Sequence, residues 1–250
     1  MGQIIKILCE NKILDFYIAG FDMEHNRYAS DESLYDNGYG ICLVPKSDIA
    51  TSSWYNYYSS DVPYIRSIIH TSVLPTIASN LQVTLGDHLI NRRVLLGSNI
   101  DKSVENNSNP FGLCINKHTW TTSYCTLMSI HQYSGYGMST HNTSSSGTHI
   151  VGYDKYGNGE ANYMLPIFGF NYFMMTNLIT NDSFWLRNMI YIRSTYAVTG
   201  YQVAVASPVH YDEEDKLDTP DSIFNLDFAS PYRDYGEFTN YIVRPMIYIR

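Results

Sequence analysis

A clear helical periodicity occurs in one part of this chain, which limits the folds open to it. From Pro63 to Gly86, apolar residues recur three or four positions apart, as on one face of a helix. Pro75 interrupts this pattern at a position that suits the first turn of a second helix, and Gly86 is placed to end it. The spacing predicts two short helices or one kinked helix, whose apolar face must lie against a sheet or another helix.

The patterns in the remaining sequence mostly indicate short strands. The first residues predict a hairpin, in which the strands QIIKILC and ILDFYIAGFD are joined by a turn at the residues ENK. Further strands are predicted in YGICLVP and RRVLLGS, and the stretch from Thr119 to Ile130 predicts a strand or a short helix. We therefore expect a β-rich α+β fold with one or two helices and long surface loops.

The pentapeptide MIYIR occurs twice, at Met189 to Arg193 and at Met246 to Arg250. If both copies are core strands of one sheet, their isoleucines share one face and their tyrosines the other, because side chains alternate along a strand. The isoleucines are Ile190, Ile192, Ile247 and Ile249, and the tyrosines are Tyr191 and Tyr248. We expect the second copy to be a core strand that fixes the end of the chain.

The composition excludes some classes of function. The formal net charge of −8 and the lack of any basic run argue against a nucleic-acid groove, which needs clustered Lys and Arg. Only 16% of the residues are charged, against a usual share of about 25%. Uncharged polar residues and 23 tyrosines take their place. Tyrosine is favoured both in strands and at recognition surfaces, so this composition fits a β-rich fold and a binding surface alike.

The cysteines and the apolar runs indicate a protein made in a reducing cytoplasm. The four cysteines are widely spaced and form no Cys-x-x-Cys pair, which predicts buried free thiols rather than a zinc or redox site. The first residues contain too short an apolar run for a signal peptide. No segment approaches the roughly 20 apolar residues that a membrane span needs.

Three tracts rich in tyrosine are the candidate contact surfaces, with Ser, Asn and Gly between their aromatic residues. The first cluster either packs over an edge of the core or forms a contact face. The second tract lies in a Ser-, Gly- and His-rich stretch that predicts long loops on one face of a single domain. The candidate contact residues are Trp54, Tyr55, Tyr57, Tyr58, Tyr133, Tyr136, His141, His149, Tyr211, Tyr232 and Tyr235.

Catalytic and metal-binding patterns are weak. The acidic run from Asp212 to Asp221 is either a solvated loop or a cation site, but it lacks the spacing of a calcium loop. The histidines match no known metal-ligand spacing, although His141 and His149 could bind a metal at a trimer axis. No G-x-S-x-G elbow is present. We expect no catalytic residue, metal or cofactor, and the chain is predicted not to be an enzyme.

Six short motifs follow one another along the chain, at Thr71 to Pro75, Gly86 to Arg92, Trp120 to Met128, Leu165 to Phe168, Trp185 to Arg187 and Val243 to Pro245. Their order resembles a domain of unknown function in phage and prophage structural proteins of Firmicutes and other gut bacteria. The resemblance covers roughly residues 60 to 250. It implies a virion protein, since the family's domain often lies at the C-terminal end of tail or fibre proteins.

The W-L-R and V-R-P motifs also resemble the end of the C-type-lectin-like fold. That resemblance implies that the last strand returns to the core sheet while the loop between the two motifs carries the ligand face. Trp185, Arg187, Arg244 and Pro245 are then structural residues. We expect the two arginines to form ion pairs or carbonyl contacts near the sheet.

Together these features predict a β-rich docking segment at residues 1–60, and at residues 61–250 a phage structural-protein domain that ends on a core strand. The first hypothesis is a tail, baseplate or head-fibre subunit that binds a host receptor or glycan through its tyrosine-rich loops. The second is a decoration protein that cements neighbouring capsid or tail subunits, and the third is a carbohydrate-degrading tail enzyme. The first implies a homo-oligomer in the virion, in contact with other virion proteins and with neither nucleic acid nor a membrane span.

Overall fold

The computed structural model describes residues 2–22, 39–46, 48–54, 64–96, 119–129, 132–133, 149–150, 165–170, 183–193, 200–206, 226–229 and 240–250. Thirteen strands and two α-helices lie in these ranges. The strands are β1 (Ile4–Cys9), β2 (Lys12–Phe21), β3 (Ile41–Pro45), β4 (Ala50–Ser52), β5 (Arg92–Leu96), β6 (Thr119–Ser123), β7 (Cys125–Leu127), β8 (His149–Ile150), β9 (Phe184–Arg193), β10 (Gly200–Ala206), β11 (Leu226–Ala229), β12 (Tyr241–Val243) and β13 (Pro245–Ile249). The helices are α1 (Leu74–Leu85) and α2 (Pro166–Phe170). The described part is therefore β-rich with few helices, as expected for an α+β chain.

The predicted hairpin at the start of the chain is confirmed. Strands β1 and β2 pair antiparallel from Ile4 opposite Tyr17 to Cys9 opposite Lys12, which leaves a two-residue turn. Glu10 adopts a φ of 55° in this turn, a left-handed conformation that tight hairpin turns require. The pairing places alternate side chains of β1 on opposite faces of the sheet.

A five-stranded sheet in the order β1-β2-β3-β13-β7 packs against α1. The sheet face that packs against α1 is buried from one edge to the other. Cys9 of the edge strand β1 and Cys125 of the opposite edge strand β7 belong to the same apolar cluster. In β13, Ile247 lies in this cluster while Met246 and Tyr248 lie in a second cluster on the other face. The last strand is thus buried on both faces and paired on both sides, as a core strand is expected to be.

A second, six-stranded sheet follows the order β11-β10-β9-β12-β4, with β8 also paired to β9. Strand β12 lies parallel to the start of β9, where Ile242 is opposite Phe184. The chain then passes through Arg244 into β13 of the five-stranded sheet. Strands β5 and β6 form a separate two-stranded ladder.

The two MIYIR copies lie in different sheets, which corrects the expectation of one shared sheet. The first copy is part of β9 in the six-stranded sheet, and the second is part of β13 in the five-stranded sheet. The alternation expected for the second copy does hold, because Ile247 and Ile249 pack with one cluster and Tyr248 with the other. The alternation of residues therefore predicted which side chains of β13 share a face, but not which strands pair with β13.

The predicted helical stretch is confirmed as one continuous helical run that changes character near Pro75. A π-helical turn at Ile69–Val73 runs directly into α1, and the Leu74 N–H donates to the Ile69 carbonyl five residues earlier. Proline has no N–H, and its ring crowds the carbonyl of the preceding turn, so a widened turn before Pro75 relieves the clash. Gly86 ends the helix with a φ of 52°.

Residues on both sides of the boundary predicted near residue 60 contribute strands to the two large sheets. Strand β3 pairs with β13, and β4 pairs with β12, so each large sheet combines strands from both sides of that boundary. The docking role predicted for residues 1–60 is a separate matter and stays a prediction.

Candidate functional site

Most of the predicted contact residues lie outside the described residues. These are Tyr55, Tyr57, Tyr58, Tyr136, His141, Tyr211, Tyr232 and Tyr235. The predicted acidic loop from Asp212 to Asp221 lies outside as well. His149 begins β8, where its backbone pairs with Arg193. The structure does describe the residues at which the three tyrosine-rich tracts leave and rejoin the fold.

Trp54 is a core residue, which corrects its assignment as a contact residue. Its side chain is 1% exposed. Its ring lies 5.9 Å from the ring of Tyr64 and 5.5 Å from that of Trp185, between centroids. Of the two interpretations open for this cluster, packing over the core holds for Trp54, because a large indole gains more from burial than a surface position would give.

Tyr133 is also buried, so it is not available to contact a receptor. Its ring packs edge-on against Phe168 at 5.3 Å and against Phe184 at 5.7 Å. Burial raises the pKa of the Tyr133 hydroxyl, while nearby Arg244 acts in the opposite direction. The sequence placed Tyr133 in a loop because polar residues follow it, but its own ring belongs to the core.

Phe184 and Trp185, the first two residues of β9, connect these aromatic groups. Neighbouring residues of a strand point to opposite faces. Accordingly, Phe184 belongs to the cluster with Tyr133, and Trp185 to the cluster with Trp54 and Tyr64. Tyr241 packs edge-on against Trp185 at 4.7 Å. We call Trp54, Tyr64, Tyr133, Phe184, Trp185 and Tyr241 the aromatic base.

The first tyrosine-rich tract, residues 55–63, begins and ends at the aromatic base. Trp54 precedes it and Tyr64 follows it, and the two rings are in contact. The Ile68 N–H donates to the Trp54 carbonyl at 3.0 Å, and the indole N–H of Trp185 donates to the Ser52 carbonyl at 2.7 Å. Both ends of the tract are therefore fixed by ring packing and by backbone hydrogen bonds.

The second tract, residues 134–164, also closes at the aromatic base. The Leu165 N–H donates to the Gln132 carbonyl at 2.8 Å, which joins the residues on either side of the tract. Tyr133 and Phe168 pack together at the same place. Within the tract, β8 pairs with the far end of β9, where Ile150 lies opposite Ile192.

The third tract, residues 207–239, is divided by β11, in which Leu226 pairs with Ala206 and Ala229 pairs with Val203. It leaves from Ala206, which pairs with both Phe184 and Leu226. It rejoins the fold just before Tyr241, whose ring packs on Trp185, and the next residue, Ile242, donates its N–H to the Ser183 carbonyl at 3.1 Å. The predicted contact tracts are Trp54 to Tyr58, Tyr133 to His149 and Tyr211 to Tyr235, and the wider ranges that overlap them are flanked by described residues around Phe184 and Trp185.

Two buried arginines join the aromatic base to the five-stranded sheet. Arg187 donates from its backbone N–H to the Met128 carbonyl at 2.9 Å, and from its side chain to the Leu127 carbonyl at 3.2 Å. Arg244 forms an ion pair with Asp48 at 3.0 Å and lies over the Phe184 ring. These are the carbonyl contact and the ion pair expected of a structural role. Pro245 opens β13, opposite Leu127.

Tyr64 and His70 form the polar part of the base. The Tyr64 hydroxyl accepts a hydrogen bond from the Leu127 N–H at 3.0 Å and lies 3.3 Å from the Thr126 hydroxyl. Burial raises the pKa of Tyr64. The His70 ring packs at a tilt against Tyr64, with 4.9 Å between the ring centroids. Its Nδ1 is buried with no hydrogen-bond partner among the described residues, and burial lowers its pKa. An imidazole in this position is held neutral.

Sequence reasoning missed Tyr64, Phe184 and Tyr241. Each stands at a junction between a strand or helix and a tract of Ser, Asn, Tyr or Pro. An aromatic residue at such a junction was a usable signal, since aromatic rings supply the large buried area that fixes the end of a loop.

Metal binding and membrane insertion are two further possibilities for the described residues. Among them, no three His, Cys, Asp or Glu side chains are grouped so as to hold a metal ion. No described helix has both the length and the apolar composition needed to cross a membrane.

Comparison with known proteins yields no match for this chain, whether with family models, with curated proteins or with solved structures.

Proposed function

We propose that this chain is a phage virion protein, a tail, baseplate or head-fibre subunit that binds the host surface through its tyrosine-rich tracts. It acts without catalysis, and its ligand is a receptor or glycan on the bacterial cell. The proposal rests on one observation: three tracts far apart in sequence share the aromatic base. We propose that tracts with a shared base act together as one binding surface.

Closure of the tracts at a rigid base favours binding for a physical reason. Ordering a loop on binding opposes association, and fixing both ends of the loop beforehand reduces that opposition. Tyrosine adds a large contact area with few rotatable bonds, and Ser, Asn and Gly add adaptable hydrogen bonds. Repeated copies on one particle would multiply a modest affinity for a single site.

The proposed fold is C-type-lectin-like, with the ligand face carried by the tract between the W-L-R and V-R-P motifs. The parallel contact of β12 with β9 supports this, because it returns the end of the chain to the strand that carries Trp185 and Arg187. The proposed location is the virion, after synthesis in the bacterial cytoplasm, in contact with other virion proteins.

A decoration role is the alternative, and one observation favours it. Strand β1 and the start of β2 expose aliphatic side chains, which suit contact with another protein subunit better than contact with a glycan. In this case the protein would cement neighbouring subunits of a capsid or tail.

Binding of labelled protein to intact bacterial cells, and in parallel to particles that lack the protein, separates the two roles. Saturable binding to cells supports host attachment, whereas binding to the deficient particles alone supports decoration. Tyr57→Ser should weaken binding to cells. Tyr39→Ser is the matched control, because Tyr39 is 69% exposed and lies outside the three tracts. Equal binding of cells by both variants and the wild type would count against the proposal.

A further inference from the structure

The outer face of the β1–β2 hairpin exposes aliphatic side chains that a folded protein usually buries. Ile4 is 43% exposed, Leu8 47% and Ile13 67%. Contiguous exposed apolar patches mark sites of contact with other proteins. We call Ile4, Lys6, Leu8, Ile13 and Asp15 the hairpin face.

Strand alternation explains why these residues lie together. Ile7 and Cys9 point to the α1 side and are buried there, so Lys6 and Leu8 must point to the other side. The register places Leu8 opposite Ile13 and Lys6 opposite Asp15. Residues directly opposite each other in an antiparallel pair share a face.

An ion pair lies in the middle of this apolar surface. The Lys6 ammonium and the Asp15 carboxylate are 2.9 Å apart and partly exposed to solvent. Along β1 the pair is flanked by Ile4 and Leu8. The hairpin face therefore presents one cation and one anion side by side, within an aliphatic rim.

A surface with this charge pattern is complementary to itself. When two copies meet face to face about a two-fold axis, Lys6 of one copy can lie on Asp15 of the other, and the reverse contact follows by symmetry. Edge-to-edge pairing of two β1 strands centred on Lys6 would instead set two lysines opposite each other, which is unfavourable. The charge pattern thus disfavours this register of sheet extension and is compatible with face-to-face packing of the aliphatic side chains.

We propose that the hairpin face binds a second copy of this chain, as a two-fold symmetric interface with four alternating charges at its centre. The interface buries the aliphatic residues around those charges. It is independent of the cell-binding role of the tyrosine-rich tracts.

Sedimentation of two charge variants, alone and mixed, tests this interface. Lys6→Glu makes the central pair entirely acidic, and Asp15→Lys makes it entirely basic. Each variant alone should dimerise at least about a hundred-fold more weakly than the wild type, because the two-fold axis brings like charges together. An equimolar mixture of the two variants should regain dimers, since an acidic face then meets a basic one.

The double variant with Lys6→Glu and Asp15→Lys provides the control for folding. It restores one cation and one anion per face, so it should dimerise like the wild type, and thermal unfolding of all variants shows whether the hairpin is intact. A wild type that sediments as a 28.6 kDa monomer at every concentration would overturn the proposal. So would dimers that are unaffected by either substitution, or variants that stay monomeric when mixed.

Discussion

The aromatic base and the hairpin face differ in which residue types they bury. At the base, Trp54, Tyr64 and Tyr133 are buried although each lies beside a polar, tyrosine-rich tract. On the hairpin face, Leu8 and Ile13 are exposed although their strands are largely aliphatic. Position in the sheets therefore decides exposure here more than residue type does.

This difference has a physical origin in what each strand has on its two sides. Strand β9 has β10 on one side and β12 on the other, and its first residues meet aromatic rings on both faces. Strand β1 is an edge strand, and among the described elements α1 packs against its inner face. The outer face of the β1–β2 hairpin can therefore leave aliphatic residues available for another subunit, whereas the start of β9 is covered on both faces.

Removal of the Trp185 ring should have the largest effect on stability. Trp185→Ala is expected to lower the free energy of unfolding by about 3–5 kcal/mol, because it leaves a cavity between Trp54 and Tyr241. Urea unfolding followed by circular dichroism measures this loss. Trp185→Phe should lower the free energy of unfolding by less, because an aromatic ring remains in place. It does lose the hydrogen bond that the indole N–H donates to the Ser52 carbonyl. Equal stability of the alanine variant and the wild type would contradict the role of the base.

Removal of the Tyr64 hydroxyl should have a smaller effect. Tyr64→Phe keeps the ring contacts but leaves the buried Leu127 N–H without its acceptor, which should cost about 1–3 kcal/mol. The same unfolding experiment measures it. A Thr126→Val variant is the matched control, because Thr126 also contacts this hydroxyl but does not accept the Leu127 hydrogen bond. A phenylalanine variant as stable as the wild type would argue against this contact.

The pH dependence of stability should report on His70. Burial lowers the pKa of His70 in the folded protein, so the unfolded chain takes up a proton first as the pH falls below its ordinary pKa of about 6.5. The contribution of neutral His70 to the free energy of unfolding is therefore fully present above that pH. As the pH falls below it, this contribution is lost by at most about 1.4 kcal/mol per pH unit.

The groups around His70 strengthen this expectation. Tyr64 and Arg66 lie on the preceding turn, Arg187 lies near Tyr64, and neither α1 nor β4 contains a charged residue. These described elements therefore place no carboxylate beside His70 that would favour its protonated form. The variant His70→Phe keeps a ring without titrating, and its unfolding free energy should depend less on pH between 6.5 and 5. Identical pH profiles for the variant and the wild type would disprove the assignment.

On the hairpin face, the smallest effect on stability is expected. Ile13→Ala should change the free energy of unfolding by no more than about 0.5 kcal/mol, because the side chain is mostly exposed. It should nevertheless weaken dimer formation, which sedimentation at matched concentrations measures. A large loss of monomer stability would show that this side chain is part of the core, and would remove the contrast with Trp185.

The sequence predicted local structure better than long-range arrangement. The hairpin, the helix that ends at Gly86 and the alternating faces of β13 follow from spacing within a few residues, and all are confirmed. The placement of the MIYIR copies in different sheets depends on pairing between distant strands, which their near-identical sequences could not distinguish.

The candidate site was predictable only in part, for a similar reason. Composition pointed to three tyrosine-rich tracts, but their common base depends on Phe184, which contacts Tyr133, and on Trp185, which contacts residues more than 100 positions away. The burial of Trp54 and Tyr133 follows from those distant contacts and not from the polar residues beside them.

The binding of cells by variants in two different tracts tests most directly whether the tracts act as one surface. Tyr57→Ser lies in the first tract and Tyr235→Ser in the third, with Tyr39→Ser as the control outside all three. We predict that each of the first two weakens the binding of labelled protein to host cells by about ten-fold or more, while the control binds like the wild type. Loss of binding in neither tract variant, with all proteins equally folded, would contradict this account.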